Sequence, residues 1–243
     1  MKIEGSTALV TGSARRIGRS IAVGLAKRGG RIAIHCRQST EDAESTLAII
    51  RELGVDAAVF QADLTDDRAR ERMIEEISSQ MGHVNILVNN ASTFAPGTLG
   101  DTTPEMWDEQ MDVNARGPFF LAQACGQMML GLQEGKIVNI ADPAGETIWP
   151  EYLPYSVSKA ALLAVTRGLA RSLAPFVQVN AVSPGPVHFP ESYTQKQKEK
   201  AIDRTLLKRS GNIEDVVRAV VFLIENDYVT GEVLHVDGGR HIF

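Results

Sequence analysis

Residues 7–20 read TALVTGSARRIGRS, a short apolar run that passes directly into a turn rich in glycine and arginine. The run TALV predicts a strand, and the residues after the turn have the pattern of a helix. Gly12 and Gly18 lie in the turn. A glycine-rich turn between a first strand and a helix can receive a pyrophosphate on its backbone N–H groups. The turn therefore predicts both an alternating fold and a phosphate site.

The same alternation of short apolar runs and longer helical patterns continues along the chain. The predicted strands are TALV, RIAIHC, DAAVFQ, NILVNN, KIVNIA, VQVNAV and EVLHV. Their hydrophobicity is continuous rather than alternating, which indicates strands buried on both faces. We therefore predict an α/β fold with a doubly wound parallel sheet and helices on both faces.

Two of the predicted helices have recognisable ends. Ser39 or Thr40 is predicted to cap a helix that ends before Gly54, and Asp66 one that ends before Gly82.

The chain is predicted to form one domain, residues 1–243, because no long linker rich in Pro, Gly or Ser divides it. Its least regular stretch is residues 184–210. That length and its polar middle favour a mobile flap over a site, and a helical excursion on the surface is the alternative.

Composition excludes several kinds of partner. A net charge of −5 gives no overall attraction to nucleic acid or to an anionic bilayer, so we expect neither as a partner. No stretch approaches the ~20 apolar residues of a membrane span, and the first apolar run is too short for a signal peptide, so a cytoplasmic location is expected. Cys36 and Cys125 lie far apart and suggest buried thiols, with neither a disulfide framework nor a metal site.

Cations cluster around the phosphate turn. Arg15, Arg16 and Arg19 crowd it, and the second strand ends in HCRQS without an acidic residue. An acid there would accept the ribose hydroxyl of NAD and would repel a 2′-phosphate. Arg37 and Ser39, aided by Arg15, can instead bind that phosphate, which favours NADP(H) as the cofactor; the alternative is that Arg37 is only a surface residue.

The stretch YSVSK at 155–159 supplies a candidate for acid–base chemistry. Tyr155 and Lys159 lie on one face of a helix, where the ammonium is expected to stabilise the phenolate and lower the Tyr155 pKa from ~10. Tyr155 would then serve as a general acid. Asn114, in DVNARG, lies within a helical pattern that its amide is expected to interrupt or bend.

Together these motifs resemble the short-chain dehydrogenase/reductase family from end to end. The matching segments are TGSARRIG, QADL with Asp63, NNAS at 89–92, Asn114, YSVSK, SPG at 183–185, and VTG and VDGG near the C-terminus. The resemblance implies a Rossmann-type sheet of seven strands, a nicotinamide cofactor and a homotetramer. It implies catalytic roles for Asn114, Tyr155 and Lys159, with Lys159 also holding the nicotinamide ribose and Asn114 supporting a water relay. The cofactor is expected to be lined by Gly12, Arg15, Arg16, Ile17, Gly18, Arg37, Ser39, Asp63, Leu64, Asn90, Ala91, Tyr155, Lys159, Pro184 and Gly185.

Two positions depart from the common family pattern. Arg16 stands at the middle glycine of the turn, and Asp142 stands thirteen residues before Tyr155, where most relatives have a catalytic Ser. An ionised Asp would repel a developing oxyanion, whereas a buried, neutral one donates a proton. Reduction of a C=N bond in a nitrogen ring needs such a proton, so Asp142 predicts that chemistry; the alternative is a loop cap in a degenerate enzyme.

Both departures occur together in pteridine reductases and dihydromonapterin reductases, which the sequence also resembles. Arg16, Ser92, Phe94, Asp142 and Tyr155 match the residues that contact substrate in those enzymes, and DGGRH at 237–241 matches the dihydromonapterin reductases. The resemblance implies that Phe94 stacks on the pterin and that Arg16 lies near both cofactor phosphate and substrate. Loop packing is the alternative role for Phe94, and a turn hydroxyl for Ser92.

The sequence thus leaves three hypotheses for function. The first is an NADPH-dependent reductase of dihydropterins or dihydrofolate, acting on a small-molecule substrate. The second is a carbonyl reductase of the same family, acting on a 3-oxoacyl thioester or another ketone. The third is a non-catalytic NADP-binding regulator. Trp149, His188 and Phe189 are expected to border the pocket, and no role is assigned to residues 241–243.

Overall fold

The computed structural model describes residues 1–190 and 193–242. Residues 191–192, in the middle of the 184–210 segment, and Phe243 lie outside the described residues, and so do the expectations that concern them.

All seven predicted strands are present in the described residues and form one parallel sheet in the order β3-β2-β1-β4-β5-β6-β7. Successive residues of β1 contact opposite core clusters, Ala8 and Val10 one and Leu9 the other, which confirms that the sheet is covered on both faces. The strands are β1 Thr7–Val10, β2 Arg31–Cys36, β3 Ala57–Gln61, β4 Ile86–Asn89, β5 Gly135–Ile140, β6 Val177–Pro184 and β7 Val233–Val236.

Helices connect the strands and pack on the two faces, with α1, α2 and α9 in one cluster and α3, α5 and α7 in the other. A π-helical turn, Asp112–Arg116, joins α4 to α5, and a 3₁₀ turn, Arg240–Ile242, follows β7. The α-helices are α1 Arg16–Ala26, α2 Thr40–Arg51, α3 Asp67–Met81, α4 Pro104–Met111, α5 Gly117–Leu132, α6 Ala144–Thr147, α7 Leu153–Leu173, α8 Gln195–Asp203 and α9 Ile213–Glu225.

The predicted helix ends are found with one difference. The Asp66 carboxylate accepts hydrogen bonds from the backbone N–H groups of Arg68 (2.8 Å) and Ala69 (3.1 Å), and α3 ends at Gly82 with φ 77°. Ser39 occupies the N-cap position of α2 but its side chain makes no capping hydrogen bond. Acidic residues in the first turn of α2 interact favourably with the helix dipole instead.

The segment 184–210 contains a helical excursion. Helix α8 begins with a capping box between Thr194 and Gln197 and has no buried residue. Cys36 and Cys125 are buried and free, as predicted, and burial raises the pKa of Cys125 to about 12. Among the described residues, no helix has the length and apolar character needed to cross a membrane.

The strand order reverses between β1 and β4, because the chain continues to β2 and β3 on one side of β1 and returns to β4 on the other. Crossover connections leave this switch point on opposite faces, so a crevice opens beyond the carboxyl ends of the two strands. The candidate active site lies in that crevice.

Candidate active site

A cavity of about 590 Å³ lies at the switch point. The sequence-predicted residues that line it are Gly12, Arg15, Arg16, Ile17, Gly18, Arg37, Ser39, Asp63, Leu64, Asn90, Ala91, Ser92, Phe94, Asp142, Tyr155, Lys159, Pro184 and Gly185. Trp149, His188 and Phe189 line it too, as predicted. Asn114 is the predicted site residue that is not part of this lining.

The phosphate end of the cavity is a tight turn. Gly12 has φ 63°, and a Cβ on Gly18 would lie 2.3 Å from the Gly12 carbonyl oxygen, so position 18 has no room for a side chain. Arg16 also adopts a left-handed conformation, φ 56°, and begins α1. The residue that replaces the family's middle glycine therefore keeps a glycine-like backbone.

The arginines of the turn do not all face the cavity. Arg15 and Arg16 line it. The Arg19 guanidinium instead donates to the Ala14 carbonyl oxygen (Nη2, 2.8 Å) and to Thr46 Oγ1 (Nε, 2.7 Å). Arg19 therefore lies against the turn, as the sequence predicts, but its side chain ties the turn to α2 and does not line the cavity.

The end of β2 carries a cation, as its sequence indicates. Arg37 and Ser39 line the cavity, and Arg37 Nη1 lies 4.0 Å from an Asp63 carboxylate oxygen. The Arg37 side chain is half exposed, so its guanidinium is accessible to a phosphate in the cavity as well as to solvent.

At the other end of the cavity, Asp142 and Tyr155 form a hydrogen-bonded pair. Asp142 follows β5, and the Tyr155 hydroxyl, from α7, donates to its Oδ2 at 2.9 Å. The Ala144 backbone N–H donates to Oδ1 at 2.8 Å. The carboxyl group is thus turned towards the tyrosine, although it also caps the turn that follows it.

Burial raises the pKa values of both groups, whereas their mutual contact acts on the two values in opposite directions. Burial raises the pKa of Asp142, against the lowering effects of the Ala144 N–H, the Lys159 charge, the Tyr155 hydroxyl and Arg240. Burial, and then the Asp142 carboxylate, raise the pKa of Tyr155 well above its ordinary value. The sequence predicts the opposite direction for the Tyr155 pKa and is wrong in this arrangement, because burial, and then the carboxyl group that replaces serine, oppose ionisation of the phenol.

Lys159 is a further polar side chain at this end of the cavity. Its Nζ donates to the Ile140 carbonyl oxygen at 3.0 Å and lies 5.7 Å from the centroid of the Tyr155 ring. Burial lowers the pKa of Lys159 to about 8, and the Asp142 charge partly offsets this effect.

Asn114 lies in the π-helical turn, where the sequence predicts an interrupted helix. Its Oδ1 accepts from Ser92 Oγ and the Thr93 N–H, both at 2.9 Å. Its Nδ2 donates to the Thr93 carbonyl oxygen (3.0 Å) and to Ser158 Oγ (2.9 Å). Asn114 thus ties the loop after β4 to α7, and π-helical turns of this kind are frequent at functional sites.

Phe94 lies against two tyrosines. It stacks on Tyr152, with centroids 4.5 Å apart and 8° between the planes, and meets Tyr155 at 4.7 Å with 80° between them. The Phe94 ring is 38% exposed and lines the cavity. Sequence reasoning assigns no role to Tyr152, although its position three residues before Tyr155 places it next to the helix of the acid–base pair.

Arg240 is a second residue that the sequence leaves unassigned. It lines the cavity, and its guanidinium lies 4.4 Å from the centroid of the Trp149 ring. The Asp237 carboxylate fixes the backbone on both sides, accepting from the Gly239 N–H (2.9 Å) and the His241 N–H (2.8 Å). The motif DGGRH is therefore a turn that presents one cation to the site.

The chain is similar to known proteins over almost its whole length. A family model described as enoyl-(acyl carrier protein) reductase matches residues 12–241. The 3-oxoacyl-(acyl-carrier-protein) reductase FabG of Staphylococcus aureus is 34% identical over 241 residues, covering 97% of this chain and 98% of the relative.

Solved structures are similar over the whole chain. FolM alternative dihydrofolate reductase 1 from Brucella canis, complexed with NADP, has a TM-score of 0.94 at 34% identity, covering 100% of this chain and 96% of that one. A blue fluorescent protein from a metagenomic library, in complex with NADPH, has a TM-score of 0.92 at 34% identity and covers 99% of each chain.

Proposed function

Since the chain belongs to the short-chain dehydrogenase/reductase family, we propose that it is an NADPH-dependent reductase of a pteridine, a dihydropterin or dihydrofolate. The observation that carries the proposal is the 2.9 Å hydrogen bond between Tyr155 and Asp142. It joins the phenol to a buried carboxyl group, at the position of the serine in the common family pattern. Reduction of a ring C=N bond needs a proton at nitrogen, which such a pair can deliver.

The phosphate end fits NADPH. Helix α1 has no acidic residue in its first turn and no side-chain cap, so its first N–H groups and the positive end of its dipole suit a pyrophosphate. Arg15, Arg37 and Ser39 line the same end, where a 2′-phosphate would form charge-assisted hydrogen bonds. The NADP and NADPH complexes of the similar structures support this choice.

NADPH, when bound, supplies the hydride. Burial raises the pKa values of Asp142 and Tyr155, which favours the protonated form of each group. A neutral carboxyl or phenol group in this place donates its proton to a ring nitrogen of the substrate. The carboxylate that remains is stabilised by the Ala144 N–H and by the charges of Lys159 and Arg240.

A flat substrate finds an aromatic surface beside this pair. Phe94 is backed by Tyr152 on one side, which holds its ring in place. A heterocycle in the cavity can stack on an exposed aromatic ring with a gain of about 0.5–1.5 kcal/mol beyond area burial. Ser92 lies in the same loop and lines the cavity.

A second candidate is a 3-oxoacyl thioester. The name and near-complete coverage of the Staphylococcus aureus relative favour it. In that reaction a neutral Asp142 would donate a hydrogen bond to the ketone oxygen in place of the usual serine.

NADPH oxidation by the purified protein separates the candidates when dihydrobiopterin, dihydrofolate and acetoacetyl thioester are assayed side by side. We expect turnover of a pteridine. Activity on the thioester alone would overturn this choice, and NADPH binding without turnover across the panel would favour a non-catalytic regulator.

Family resemblance also underlies our proposal that the protein is a homotetramer, and light scattering of the purified protein tests it. A dimer or monomer at assay concentrations would contradict it.

A further inference from the structure

His35, near the end of β2, joins two loops that border the cavity. Its imidazole is 2% exposed. The Gly12 N–H donates to His35 Nδ1 at 3.0 Å, and Nε2 lies 3.1 Å from the Ala62 carbonyl oxygen. The ring therefore bridges the phosphate turn, after β1, and the segment after β3 that leads into Asp63.

These partners determine the state of the ring. A backbone N–H only donates and a carbonyl oxygen only accepts, so His35 must be neutral with its proton on Nε2. Burial lowers the pKa of His35 to about 4, against the opposing effects of the Ala62 carbonyl and the Asp63 charge. The bridge is consequently intact at neutral pH.

The backbone on both sides of Gly12 is also fixed. The Ser13 N–H donates to the His35 carbonyl oxygen at 3.0 Å. Asn90 Nδ2 donates to the carbonyl oxygens of Thr11 (2.8 Å) and Gly12 (3.2 Å) from the other side. Because the N–H groups of Gly12 and Ser13 are both directed to β2, the backbone donors for a pyrophosphate must come from residues after Ser13, including the start of α1.

We propose that His35 is a positioning residue for cofactor binding. It acts through Gly12, whose peptide it orients so that the start of α1 faces the pyrophosphate, and it couples this turn to the Ala62–Asp63 segment. This inference rests on the proposed NADPH-dependent function. Without the ring, the partly buried Gly12 N–H loses its acceptor, a loss expected to weaken NADPH binding on the order of tenfold.

Three variants test the proposal by fluorescence titration with NADPH. His35→Leu should raise the Kd on the order of tenfold and the KM for NADPH more than it lowers kcat. His35→Gln should restore affinity to within about threefold, because its amide can accept from Gly12 and donate to Ala62. Ile34→Val, at the preceding buried position of β2, is the matched control for a change in packing and should bind as wild type does.

Tight NADPH binding by His35→Leu, equal to wild type, would overturn the proposal. A wild-type protein that does not bind NADPH would instead contradict the proposed function. Should His35→Leu not fold, ¹⁵N NMR of the wild-type ring decides the matter without a mutation. We expect a neutral ring protonated on Nε2 at pH 7, and a charged ring or the opposite tautomer would refute the bridge.

Discussion

Backbone atoms determine the shape of one end of the cavity, and side chains determine the shape of the other. At the phosphate end the shape comes from backbone: the start of α1, the left-handed Gly12, and Gly18 with no room for a Cβ. At the chemical end it comes from side chains that distant segments bring together, Asp142 after β5 and Tyr155 in α7. The turn lies between two consecutive elements, β1 and α1, whereas the acid pair exists only once the sheet and α7 have packed.

The two departures from the family pattern lie at opposite ends of the cavity and differ in the same way. Arg16 replaces a glycine and keeps φ 56°, a conformation that costs an L-residue about 1–2 kcal/mol. The shape of the turn is thereby retained. Asp142 replaces a serine, and after burial its carboxylate is the next cause of the raised pKa of Tyr155. We therefore expect the substitution at the chemical end to change the chemistry of the site.

The largest effect is expected for Asp142→Ser. If the acid pair delivers protons, turnover of a dihydropterin at pH 7 should fall by about 10²–10⁴-fold, the usual contribution of a general acid. Steady-state kcat measures it. Glu146→Gln, which removes a nearby carboxylate paired with His235 outside the cavity lining, is the matched control and should stay within a few-fold of wild type.

Thermal unfolding of Asp142→Ser shows whether the fall in kcat comes from lost proton delivery or from a destabilised fold. The raised pKa of Asp142 means that its ionisation costs folding free energy as pH rises through the folded value. The serine variant should therefore unfold at no lower temperature than wild type at pH 8. An unchanged kcat in a folded Asp142→Ser would refute the role of the carboxyl group.

A substitution at the phosphate end of the cavity should change the affinity for NADPH. Arg37→Gln removes a cation that we expect to bind the 2′-phosphate, so the Kd for NADPH should rise by about 10- to 100-fold. The Kd for NADH, which has no 2′-phosphate, is the internal control and should change little. Equal weakening of both would mean that Arg37 acts through Asp63, 4.0 Å away, and not on the phosphate.

A smaller effect is expected for the aromatic surface. Phe94→Ala should raise the KM for a dihydropterin by about tenfold, since stacking and burial of a ring are lost together. Phe176→Ala is the control, because both rings are 38% exposed and Phe176 does not line the cavity. A similar KM in both variants would contradict stacking on Phe94.

The smallest effect is a shift of the pH profile. The charge of Arg240 lowers the pKa of Asp142, so Arg240→Met should raise it and move the alkaline limb of kcat to higher pH. Arg240→Lys keeps the charge and should keep the limb near its wild-type position. An identical limb in the methionine variant would show that Arg240 does not influence the acid pair.

The features that the sequence predicts and those that it does not predict also differ between the two ends of the cavity. The strands, the parallel sheet and the turn at Gly12 depend on local patterns, and they were predictable. The direction of the Tyr155 pKa was not, because it depends on burial and on a carboxyl group 2.9 Å away. The roles of Tyr152 and Arg240 are not predictable for a related reason: each contacts an aromatic partner that lies far from it in the sequence.

Because of the π-helical turn at Asp112–Arg116, we expect the number of residues in this stretch of chain to matter for function. Each residue of an α-helix advances the rotation by about 100°. Deleting Val113 would favour an ordinary helix through this region and rotate α5 relative to α4 by about that angle. Asn114 would then turn away from the loop it ties down, so a single-residue deletion should uncouple α7 from that loop with every remaining side chain intact.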